Sequence, residues 1–118
     1  MKPNVPERLA IATVLIGCGS LRAALIKMNE KDRKWCNSIR THFDNIQQSL
    51  TGSDISMRAA VNAWDEVKQI LDDGFNGTLY SADEIDDVMY LFGAVDEAFY
   101  AMLDKAGVPF EPEINMQD

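Results

Sequence analysis

The sequence predicts an all-α protein: a compact antiparallel bundle of about four helices with a long second helix. Four stretches carry apolar residues at three- and four-residue steps, and no apolar/polar alternation of period two persists long enough to make a sheet strand. The seven glycines and four prolines are few, and several stand where helices should begin or end.

The first helix is expected from Pro6 to about Gly17, because a proline's missing N–H costs little near a helix start. Leu9, Ile11, Val14, Leu15 and Ile16 cover most of its circumference, which predicts burial on several sides and some apolar surface left for a second subunit. The second helix is expected from Ser20 to about Leu50, with Leu21, Leu25, Met28, Trp35, Ile39, His42 with Phe43, Ile46 and Leu50 in step. Its polar run "MNEKDRK" interrupts the stripe, and Asn29 could cap a fresh helix there; one continuous, kinked helix is the preferred reading.

"TGSD" is a turn, followed by a third helix from about Asp54 to Asp73 whose inner face is Met57, Ala60, Val61, Trp64, Val67, Ile70 and Leu71. Gly74 stands where a left-handed C-terminal residue is wanted, and "GFNGTLY" is a connecting loop. The fourth helix has a capping box in Ser81 and Glu84. Asp83, Glu84, Asp86 and Asp87 crowd its first turns, where the helix dipole favours negative charge. Ile85, Val88, Phe92, Val95, Phe99, Met102 and Ala106 keep heptad spacing until Gly107 and Pro109 end it. Without internal repeats or a linker, residues 1–118 read as a single helical domain with a polar, loose tail over 108–118 that Phe110 could dock.

Charge is divided unevenly. Residues 1–52 carry eight Lys/Arg and four Asp/Glu, hence +4, whereas residues 53–118 carry three and fifteen, hence −12. A chain of net charge −8 repels nucleic acid overall and is expected to prefer a protein partner with a basic surface. The basic run Lys27, Lys31, Arg33, Lys34 and Arg40 around Trp35 is expected to face acidic helices of the same bundle or of a neighbouring subunit, so no direct nucleic-acid binding is expected. Cys18 and Cys36 are the only cysteines. Eighteen residues along one helical stretch would set them roughly 27 Å apart, far beyond disulfide reach. A reducing, cytoplasmic setting follows as the expectation.

The stretch "VLIGCGS" (residues 14–20) admits three readings. It resembles the glycine-rich "VLDIGCGxG" loop of S-adenosylmethionine-dependent methyltransferases, but Ile16 stands before the glycine in place of an acid, and Leu21 replaces the third glycine. Leu15-Ile16-Gly17-Cys18 also resembles a lipobox, which would imply a small lipoprotein anchored at Cys18. Glu7 and two prolines disturb its basic leader, a helix follows Cys18 directly, and an intact Met1 is expected. Arg22 interrupts the apolar run too early for a membrane span, and none is expected. The third and preferred reading is structural: the glycines form a joint, a bend or a close helix crossing between the first two helices.

His42 is the only histidine, so no multi-histidine metal site can form within one chain, and no metal or cofactor is expected. A packing role on the inner edge of the second helix is expected for it. Cys36 lies six residues away, on a different face, and could pair with His42 only if the helix breaks. There is no G-x-S-x-G, phosphate-binding loop or H-E-x-x-H. Asp65 and Glu66, followed by Glu84 and Asp87, loosely resemble the E-E-x-x-E and E-x-x-D motifs of MazG-type nucleotide pyrophosphatases, which implies an alternative activity on nucleoside triphosphates with magnesium. Gln69 stands where the third glutamate belongs, and Asp65 replaces the first.

The expected function is therefore non-enzymatic. The chain reads as a small acidic protein-binding module, a homodimer or higher oligomer. Its acidic C-terminal half would occupy a basic site on a nucleic-acid-handling partner, as inhibitors from phages and mobile elements can. Asp72, Asp73, Asp83, Glu84, Asp86 and Asp87 are the residues expected to make that contact.

Overall fold

Helix boundaries in this chain follow from hydrogen bonds that polar side chains make to the first or last turn. The computed structural model describes residues 2–29, 32–75 and 82–107, and within these leaves out the side chains of 74, 75, 82 and 84. Helix α1 spans Val5–Met28. Asn4 caps it reciprocally: its Oδ1 accepts from the Glu7 N–H at 2.9 Å, and the Glu7 carboxylate accepts from the Asn4 N–H at 2.7 Å. Pro6 falls in the first turn, where its missing donor costs little.

The expected joint at "VLIGCGS" does not form, because α1 runs unbroken through Gly17 and Gly19. It stops instead inside "MNEKDRK", where the Asn29 N–H donates to the carbonyls of Leu25 and Ile26 at 3.1 and 3.2 Å. Helix α2, Arg33–Leu50, then starts afresh, with Asp32 Oδ1 accepting from the Trp35 N–H at 3.0 Å. The long second helix is thus corrected to an 18-residue one, and the early apolar run belongs to a 24-residue first helix. The physical reason is local: two glycines weaken a helix by about 1 kcal/mol each, which packing can offset, whereas a polar run holding a helix cap has no apolar face to bury. The Cys36 thiol fastens the corner by donating to the Asn29 carbonyl at 3.3 Å.

Helix α3 spans Met57–Phe75. The Ser56 hydroxyl accepts from the Ala59 N–H at 3.1 Å, so the start lies three residues later than Asp54. The intervening turn closes through the Ser56 N–H to the Ser49 carbonyl at 2.8 Å, with Gly52 at φ +84°. Gly74 lies within α3 and does not terminate it. Helix α4 spans Ala82–Ala106 and ends at Gly107, whose φ of +70° is the left-handed conformation expected there. Ser81, Pro109, Phe110 and the tail 108–118 lie outside the described residues.

Helix α1 packs chiefly on α4 and α2 on α3; α1 also meets α2, and α3 touches α4 only lightly. Val14, Leu21, Leu25, Ile39, Ile46, Trp64, Val67, Val95 and Met102 form the innermost layer. Gly17 explains the close crossing of α1 and α4: a Cβ built there would lie 3.0 Å from Cγ2 of Val95. The expected burial of α1 on several sides is corrected to one side. Ile11, Val14, Cys18, Leu21 and Leu25 are buried, while Val5, Leu9 and Ile16 are 66 %, 65 % and 72 % exposed.

Candidate partner-binding groove

The light contact between α3 and α4 is what makes a candidate site. Trp64 of α3 is only 2 % exposed, and its indole N–H donates to Asp96 Oδ1 of α4 at 2.8 Å. Its ring stacks on Phe99 (centroids 5.3 Å, 14°) and tilts against Phe92 (5.2 Å, 32°). One helical turn further along α3, Lys68 Nζ lies 3.3 Å from Asp65 and 3.8 Å from Asp96. This fastening secures α3 to α4.

Beside it, the C-terminal half of α3 and the N-terminal half of α4 border an open groove of about 730 Å³. Leu71, Ile85, Met89 and Phe92 line its apolar floor; Asp65, Lys68, Gln69 and Asp72 line its polar edge. Such an apolar trough with a charged lip suits the apolar face of an amphipathic helix. Met89 is 42 % exposed, and a flexible thioether adapts to differently shaped occupants. The groove's cation, Lys68, is already held between two carboxylates.

Charge follows the helices. Helices α1 and α2 each carry three Lys/Arg and one Asp/Glu, hence +2. Helix α3 has two Lys/Arg against four Asp/Glu, hence −2, and α4 has one against seven, hence −6. The groove therefore lies between the two acidic helices.

Of the residues expected to bind a partner whose side chains are described, only Asp72 lines the groove. Asp73, its neighbour, is exposed and accepts from the Gln69 amide at 3.2 Å. Asp83, Asp86 and Asp87 are exposed on the first turns of α4. Glu84 belongs to the same turns, and its side chain lies outside those described. No group of three or more His, Cys, Asp or Glu among the described residues is placed to hold a metal ion.

The acids that resemble a pyrophosphatase motif diverge. Asp65 faces the α3–α4 groove, while Glu66 opens onto a separate polar groove between α2 and α3 that also contains His42 and Asp54. Cys36 and His42 both lie on the unbroken α2, with the Cys36 thiol spent on a backbone carbonyl. Cys18 is buried in the middle of α1, and burial pushes its thiol up to about 12, which leaves it protonated and unreactive at neutral pH. As a lipid-bearing terminus it would require loss of Ile11 and Val14, two core residues that precede it. Of the basic run, Lys27, Arg33, Lys34 and Arg40 are exposed, and Lys31 lies outside the described residues.

Sequence reasoning missed the Trp64–Asp96–Lys68 fastening, although Asp96 carries a signal. It follows Val95 of the heptad stripe directly in "LFGAVDEAF", where part-burial beside the stripe calls for a polar partner. No family model, curated protein or solved structure matches the chain.

Proposed function

We propose that this chain is a small, non-enzymatic protein-binding module whose α3–α4 groove receives a basic amphipathic segment of a partner. The observation that carries the reading is one groove between the two acidic helices, combining an apolar floor of Leu71, Ile85, Met89 and Phe92 with a polar edge that includes Asp65 and Asp72. The partner's apolar face would cover the floor, and its Lys and Arg side chains would meet Asp72, Asp73, Asp83 and Asp86. Proteins that handle nucleic acid carry basic surfaces of this kind, and a module seated there would compete with the nucleic acid as an inhibitor does. Cys18 and Cys36, both free and buried, suit a reducing compartment such as the cytoplasm.

The test begins with partners captured on the immobilised chain, followed by calorimetric titration of each at low and physiological salt. Reversal of Asp72, Asp73, Asp83 and Asp86 to lysine should weaken binding at least tenfold and flatten its salt dependence while helical circular dichroism persists. Met89→Asn, which removes apolar surface without adding charge, should weaken it without changing the salt dependence. Affinity indifferent to both substitutions refutes the groove as the binding site.

A further inference from the structure

Helix α1 carries two apolar seams, and the fold uses one. The inward seam is Ile11, Val14, Cys18, Leu21 and Leu25, at alternating steps of three and four. On another face Leu9, Ala12, Ile16, Gly19 and Ala23 repeat the same spacing, and all five are exposed. Val5 and the half-buried Ile26 continue it to both ends. Only 28 % of the most apolar 18 residues of α1 are buried within the fold, and no charged residue occurs between Arg8 and Arg22.

A strict seven-residue repeat is the signature of a helix meeting another helix. We propose that α1 packs against α1 of a second copy of this chain, antiparallel about a two-fold axis near Ile16. The face is separate from the α3–α4 groove, so this dimer stands or falls independently of partner binding.

Three features select this occupant. Antiparallel pairing about Ile16 sets Leu9 against Ala23, a large side chain on a small one, and brings Ala12 near Gly19, where two small residues let the backbones approach, while Ile16 meets its own copy. It also opposes the two helix dipoles. Second, half the circumference of a cylinder about 10 Å across and 36 Å long is roughly 550 Å² per copy. The pair would bury about 1,100 Å², which reaches the roughly 1,000 Å² that a specific interface requires.

The third feature is cover: crossing a bilayer would strip α1 from Val95, against which Gly17 is packed.

Light scattering of the full chain at micromolar concentration should give twice the 13.2 kDa chain mass. Leu9 and Ile16 are exposed, so Leu9→Glu/Ile16→Glu should keep the helical circular dichroism and weaken dimerisation at least tenfold. Under mild copper-catalysed oxidation by air, Ile16→Cys should cross-link to its own copy. Val5→Cys should not, because its two copies would be about 33 Å apart.

A wild-type chain that remains monomeric, or a double variant that remains dimeric, overturns the proposal. Self-cross-linking at Val5→Cys overturns the antiparallel arrangement. A monomer that binds phosphatidylcholine/phosphatidylserine vesicles, and loses that binding in the double variant, overturns it in favour of a lipid surface.

Discussion

Replacing Asp96 by alanine removes the acceptor of the buried Trp64 indole N–H. The hydrogen bond is 2.8 Å long with a carboxylate acceptor, and the carboxylate itself is 26 % exposed. A bond to a charged group contributes about 1.5–3 kcal/mol, and a buried donor left without a partner costs about 1–3 kcal/mol. These describe the same loss from two sides, so the expected destabilisation is about 2 kcal/mol. The accompanying Lys68 contact, at 3.8 Å and part-exposed, adds less than about 0.5 kcal/mol.

Urea unfolding followed by tryptophan fluorescence and circular dichroism measures it. The midpoint of Asp96→Ala should fall with an unchanged slope. Asp96→Asn, which keeps a neutral acceptor, should lose about half as much. Lys68→Ala should lie within about 0.5 kcal/mol of wild type, and a Trp64→Phe/Asp96→Ala cycle should show a coupling of about 1–2 kcal/mol. An Asp96→Ala midpoint equal to wild type, or a larger loss from Lys68→Ala, would show that the ion pair and not the indole bond joins the helices.

Other perturbations have equally definite signs. Gly19→Ala and Gly93→Ala meet no atom within 4 Å and should raise stability by about 1 kcal/mol each in thermal unfolding, since both lie inside helices. Gly17→Val should lower it by more than about 2 kcal/mol, because even a single Cβ there lies 3.0 Å from Val95. Cys18, with its thiol pushed up to about 12, binds its proton more tightly when folded. Its contribution is therefore complete below the ordinary thiol pKa near 9 and declines as pH rises towards 12, at up to about 1.4 kcal/mol per pH unit. Urea midpoints between pH 9 and 11 should fall less steeply in Cys18→Ala than in wild type; parallel curves would contradict the burial effect. Native Cys18 should also resist alkylation at pH 8 and react only in denaturant.

What could be read in advance was whatever depends on neighbours along one helix. The fourth helix was legible because its heptad stripe is continuous: Val88, Val95, Phe99 and Met102 are buried as the spacing requires. The break between the first two helices was misplaced because propensity was weighed without tertiary contact. Gly17 looks like a weakness in isolation, yet it is what lets α1 lie close to Val95. The polar run offered Asn29 as a cap, and the cap of α2 is Asp32, three residues later.

The acidic character of the candidate site was readable from Asp72, Asp83, Asp86 and Asp87, whereas the groove was not. It depends on how lightly α3 touches α4, and on a hydrogen bond between residues 32 positions apart. The exposed seam of α1 was half legible: its apolar residues were visible, but which of them the bundle would cover depends on α4.

The pairing of the first helix with the last also bears on how the chain is made. A ribosome releases α1 first, and its principal partner follows only when residues 82–106 have emerged. Throughout that interval the outer seam of α1 is uncovered and the inner one can meet only α2, while α2 and α3, adjacent in sequence, can already associate. Local contacts form faster than distant ones, so the α2–α3 pair should fold first and the meeting of α1 with α4 should complete the bundle. Stalled or truncated chains that end before α4 would display the most apolar helix of the protein and should be prone to aggregation or chaperone capture.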